Sequence, residues 1–159
     1  MKESLYPIFE WFDQTALATM IKESIWLFAG IMSIHLVTFA ALGGCLLIVD
    51  LRLMNLVLKG EDPKELALSV RKWLWIAMIG TFITGFLMFV SETGKLYHND
   101  PFWSKMRFLV LGMIFLLTVR RWALNQDPAS LGHWGKVIGL TNIVLWSGVA
   151  WGGRWIGFW

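Results

Sequence analysis

Charge is what this 159-residue sequence has least of. Asp, Glu, Lys and Arg make up 16% of it against 57% hydrophobic residues, and its mean hydropathy is +0.59. Soluble domains carry roughly 25% charged residues, so a chain this poor in charge is predicted to be an integral membrane protein. Cysteine is nearly absent. The single Cys45 excludes an internal disulfide and reads as a small packed hydrophobe. No phosphate-binding loop, nucleophile elbow or pair of histidines at metal-ligand spacing is present. His35, His98 and His133 fall in separate segments, which argues against a zinc centre built from them. The net charge of +3 is scattered over the ends of apolar runs and forms no patch, so nucleic acid is not an expected partner.

What the sequence does have is long apolar runs. Between Ile25 and Val49 there is no Asp, Glu, Lys or Arg, and the run exceeds the roughly 20 residues a helix needs to cross a bilayer core. His35 sits about ten residues in, roughly 15 Å deep at ~1.5 Å per residue. Ionisable groups at that depth usually face a bundle interior and mark a function, which makes His35 the first candidate for chemistry. Further spans are predicted at about 73–91, 101–122 and 136–156. Asn99-Asp100-Pro101 is a helix-start signal for the third. The predicted fold is therefore all-α, a four-transmembrane-helix bundle forming one membrane domain over residues 1–159, too short to include a large soluble catalytic domain.

The amino-terminal segment 2–21 places Leu5, Ile8, Phe9, Phe12, Ala16 and Met20 at helical spacing, with Glu3, Glu10, Asp13 and Gln14 elsewhere. It is predicted to be an amphipathic helix lying along the membrane surface. Arg52, Lys59, Lys64, Arg71 and Lys72 make the connection after the first span the most basic part of the chain. By the positive-inside rule it is expected in the cytoplasm, with residues 93–100 and both termini outside. Gly148-x-x-x-Gly152 and Gly153-x-x-x-Gly157 predict close helix contacts within the bundle. Asp50 and Arg52 are expected to pair or to contact headgroups at the membrane boundary.

The residues leave three readings of His35: an imidazole hydrogen-bonded to a neighbouring helix, an axial ligand to haem iron, or a Cu(I) ligand with Met32 on the same face. In the copper reading Met88 and Met106 lie near the same half of the bundle. Lys105 and Arg107, in the first two turns of the third span, suit the pairing of haem propionates. For the nitrogen of His35 that does not bind metal, Ser33, Thr38 or a backbone carbonyl is the expected partner, and Gly43 beside its face offers room for a macrocycle edge.

Several stretches carry a resemblance. These are the first-span His35, the closing Val49-Asp50-Leu51-Arg52-Leu53, the run Asn99-Asp100-Pro101-Phe102-Trp103-Ser104-Lys105-Met106, and Gly153-Arg154-Trp155-Ile156. Over nearly its whole length the chain resembles a family of uncharacterised bacterial four-helix membrane proteins. That family is similar in turn to copper-resistance D-type membrane proteins and, more distantly, to membrane haem-binding protoporphyrinogen oxidases. There a first-span His and a Lys at the start of a later span matter, and His35 and Lys105 are the matching positions. Where relatives carry a further His near the inner end of the third span, this chain reads Thr118-Val119-Arg120-Arg121. The expected function is a small subunit of the bacterial inner membrane that binds b-type haem through His35. It would pass electrons between a membrane or periplasmic partner subunit and the quinone pool, as an electron-transfer protein and not a stand-alone enzyme. The alternatives are a cofactor-free accessory or anchor subunit of a larger membrane complex, and a copper-handling membrane protein.

Overall fold

The computed structural model describes residues 6–158, apart from the side chains of residues 128 and 129. Every regular element among them is helical. In order these are α1 (Tyr6–Asp13), α2 (Ala16–Glu23), α3 (Ile25–Leu53), α4 (Pro63–Ser91) and α5 (Thr93–Tyr97). There follow α6 (Asp100–Ala123) and α7 (Pro128–Trp155), which ends in a 3-10 turn.

Local chemistry sets the starts of these helices. Ser24 Oγ accepts from the Leu27 amide at the head of α3. Asp62 Oδ1 accepts from the Lys64 and Glu65 amides, with Pro63 in the first helical position of α4. Asn99 Oδ1 accepts from the Phe102 amide at 3.0 Å, so within the Asn99-Asp100-Pro101 signal Asn99 is the cap. Each such cap satisfies one of the amides that a helix start leaves unpaired.

Three helices, α3, α4 and α6, are long and apolar enough to cross a membrane, and they mark a membrane protein. The fourth expected span lies in α7, which is not one of the three. α7 leaves helical geometry at Gly132, where φ is +46°, and carries Lys136, Asn142 and Arg154 among its apolar residues. The predicted amino-terminal helix is two short ones. Thr15 separates them by capping α2 through the Ala18 amide. Leu5 and Glu3 lie outside the described residues.

The long helices pair α3 with α4 and α6 with α7, and the two pairs join through α3 and α7. Between them Leu42, Leu46, Leu74, Met78, Leu116 and Trp146 form an apolar layer. The α7 crossing is close because of its glycines. A Cβ on Gly139 would stand 2.8 Å from the Asp50 carbonyl, and one on Gly148 would stand 2.6 Å from the Phe108 ring. The Gly148-x-x-x-Gly152 pattern thus acts inside the chain, packing α7 on α6.

The two ends of the bundle close differently. At the α1 end Phe9 is buried among Phe89, Tyr97, Phe102 and Trp103. At the other end, called here the loop end, Arg52 holds the α3–α4 connection. Its Nε donates to the Glu61 carbonyl at 2.5 Å, Nη1 to Asn55 Oδ1 and Nη2 to the Lys59 carbonyl, both at 3.2 Å. Arg52 therefore serves its own loop and does not pair with Asp50.

Candidate functional site

His35 stands on α3 against α4. Its Nδ1 lies 2.9 Å from Thr84 Oγ1. The Thr84 hydroxyl has one proton, directed to the Gly80 carbonyl at 2.7 Å, with the Thr81 carbonyl at 3.3 Å. Thr84 therefore accepts from His35, which assigns the neutral tautomer as Nδ1–H and leaves the lone pair on Nε2. Gly85 makes the approach possible, since a Cβ there would sit 3.2 Å from His35 Cε1. The Phe39 ring stacks along the imidazole at 6.4 Å with an 18° tilt. Together Thr84, Gly85 and Phe39 fix the ring before any ligand is bound.

Neither of the two hydroxyls expected beside the imidazole is its partner. Ser33 and Thr38 turn their hydroxyls back to carbonyls of their own helix, Ala29 for the first and Ile34 and His35 for the second. Gly43 meets nothing within 4 Å, and the glycine against the ring is Gly85. Thr84, immediately before Gly85 on the helix paired with α3, is a signal that pairing α3 with α4 would have exposed.

Of the other predicted residues, Lys105 packs against α7 and Arg107 is exposed. Lys105 packs its backbone and Cβ against Gly152 and its Nζ by Gly153, half-buried. Arg107, two residues on, points out of the bundle. Its Nε donates to the Trp103 carbonyl at 3.3 Å, and it lines a 650 Å³ groove between α6 and α7 with Phe108, Trp151 and Trp155. Met32 is partly exposed in a second groove beside Lys22 and Phe28. Met106 packs into the aromatic cluster at the α1 end. Among the described residues no three His, Cys, Asp or Glu side chains are grouped to hold a metal ion.

A haem would need a donor to its iron and a cation for its propionates; His35 and Lys105 would be those residues, while neither groove of the bundle described above is lined by His35. His35 offers an oriented Nε2 lone pair, and Lys105 offers a charge on the facing helix pair. A second imidazole is not at hand, since His98 and His133 are exposed outside the apolar layer.

A second polar centre lies at the loop end, about 22 Å from His35 along α3 at ~1.5 Å per residue. Asp50 is 1% exposed, yet Arg120 Nε donates to its Oδ1 at 2.6 Å and Asn142 Nδ2 to its Oδ2 at 2.5 Å. Arg120 closes a π-helical turn over Leu116–Arg120, a wide turn that often occurs at functional positions. The cluster joins α3, α6 and α7 through one carboxylate. Arg120 lies near the end of the predicted third span and Asn142 inside the predicted fourth. An Asn in the middle of an apolar helix is the signal that was there to find.

Fold and site define a helical membrane protein with two polar centres separated by an apolar layer. The chain belongs to a family of unknown function (DUF6644), which matches residues 8–159. No curated protein and no solved structure matches it.

Proposed function

We propose that this protein is a small membrane subunit that holds a b-type haem through His35 and passes electrons between a partner protein and the quinone pool. The observation that carries the reading is the His35–Thr84 contact at 2.9 Å. Metal-binding histidines almost always donate their other ring N–H to a fixed acceptor, and Thr84 is such an acceptor. Haem supplies one-electron chemistry at its iron. Within this reading His35 presents Nε2 to the metal, Thr84 and Gly85 hold the ring, and Lys105 pairs with a propionate. Arg107, turned outward, serves headgroups or a second carboxylate. The likeness to copper-resistance D-type proteins and membrane haem-binding oxidases belongs to the same proposal.

In the arrangement we favour, α7 is the fourth span of a bundle in the bacterial inner membrane. α1 and α2 lie at the outer surface, and both termini face outward.

Absorption spectra of purified variants test it. His35→Ala is expected to remove the Soret band while the bundle stays inserted. Thr84→Val, which keeps the shape and loses the acceptor, is expected to weaken haem affinity about 10–100-fold, and Lys105→Ala to do less than His35→Ala. A Soret band that survives His35→Ala contradicts the assignment. Bound copper in its place transfers the site to Met32 and His35. A wild-type protein with neither leaves the accessory-subunit reading.

A further inference from the structure

Arg107 is a cation without a counter-ion on the outer face of the bundle. It is exposed on α6, a helix apolar enough to cross a bilayer, and among the described residues no acid pairs with it. Charged side chains within spans are costly and normally have a partner. Its Nε donates to the Trp103 carbonyl, which draws the guanidinium back toward the start of α6, the direction in which helical side chains lean. The two Nη groups make no hydrogen bond among the described residues. Asp100 stands two turns before Arg107 on the same face of α6, and both line the groove between α6 and α7.

The groove orders these groups as a phospholipid orders its own. With the guanidinium drawn back by one turn, the start of α6 that carries Asp100 lies one further turn outward, roughly 5.4 Å along the axis. In an ethanolamine headgroup two carbons separate the phosphate from the ammonium, a reach of similar size. Phe108, Gly148 and Trp151 supply an apolar floor. Leu111 and Val144, both exposed, continue it inward at helical spacing from Arg107 and Gly148. We propose that this groove binds a phospholipid whose head carries a primary ammonium, phosphatidylethanolamine in chemical type. Its phosphate meets the Arg107 guanidinium in a charge-assisted contact, its ammonium meets the Asp100 carboxylate, and an acyl chain lies along the apolar floor. A glycerol head would leave Asp100 facing an anion without a cation between them, and a choline head has no N–H to donate. The proposal deepens the headgroup role given to Arg107 above. Neither His35 nor Lys105 lines the groove, so it and the haem reading fail separately.

Native mass spectrometry of the full chain in detergent tests the proposal, with titration of phosphatidylethanolamine, phosphatidylglycerol and phosphatidylcholine of identical acyl chains. The readout is the apparent dissociation constant of the first lipid retained. We expect the ethanolamine lipid to bind several-fold more tightly than either of the others. Asp100→Asn, which leaves the Asn99 cap of α6 in place, is expected to abolish that preference. Arg107→Gln is expected to weaken all three lipids, because each carries a phosphate. Lys95→Gln, in the other groove, is expected to change neither the order nor the affinities. The wild-type series needs no substitution, so the proposal remains testable if a variant fails to fold. Equal affinities in the wild type, or tightest binding of the glycerol lipid, overturn it. So does a preference that survives in a folded Asp100→Asn, binding that is indifferent to Arg107→Gln, or a preference lost in Lys95→Gln, which assigns the lipid to the other groove.

Discussion

Removing either member of the Asp50–Arg120 pair leaves a charge inside the bundle without its counter-ion, a change that typically costs about 3–5 kcal/mol. Asp50→Ala or Arg120→Ala is expected to lower resistance to unfolding in detergent by that order. The double change Asp50→Leu, Arg120→Met, which replaces both with apolar side chains, is expected to recover most of the loss. A double variant as weak as the sum of the two singles contradicts the coupling. The two polar centres were not equally legible at this scale. His35 stood out because it is the one ionisable group in a long apolar run, and that signal needs no tertiary information. Thr84 and Asn142 are uncharged residues in other helices, and their roles depend on which helices pair and at what register. Asp50 and Arg52 lie two residues apart at a boundary, and sequence alone could not say that Arg52 turns to its own loop while Arg120, seventy residues away, takes the carboxylate.

The amino-terminal helices are tied down by a different kind of contact. Lys22 Nζ donates to Asp13 Oδ1 at 2.7 Å, and the Gly94 amide donates to the same oxygen at 3.3 Å. The hydrogen bond from Lys22, with its charge and the Gly94 amide adding to it against a partial loss of hydration, holds the Asp13 carboxyl below its ordinary range. A lowered native pKa contributes stability that is present above the unfolded value, roughly 3.9, and lost as pH falls through the native one. The pair is more than a third exposed, so solvent screens it and the effect is small. Hydrogen exchange of α1 and α2 relative to α3 is expected to quicken as pH drops below the carboxylate range, and Asp13→Asn is expected to flatten that response. An unchanged pH profile in Asp13→Asn contradicts the tie. Of the predicted apolar stripe Phe9 is buried, but Ile8, Ala16 and Met20 are exposed and α2 buries Ala18 and Ile21 instead. The break at Thr15 was not, because Thr caps a helix or continues one according to what the preceding turn packs against.

For the whole molecule, composition sufficed to mark a membrane protein, and three of the predicted spans lie in helices apolar enough to cross. The last helix was harder to read because its glycines, Asn142 and Trp146 serve contacts with α3 and α6, which dilutes the hydrophobic signal that span prediction uses. Sidedness is expected to follow the basic residues: a cysteine at Lys59, in a background with Cys45 replaced, should resist an impermeant reagent applied to intact cells, and one at Lys95 should react. Labelling at Lys59 from outside reverses the orientation. The central claim, that His35 is preset as a haem ligand, is tested most directly by a reduced-minus-oxidised absorption spectrum and an iron assay on wild-type protein, purified with its native partners from cells well supplied with haem. A Soret band with stoichiometric iron is the predicted result. Stoichiometric protein with no Soret band and no iron contradicts it.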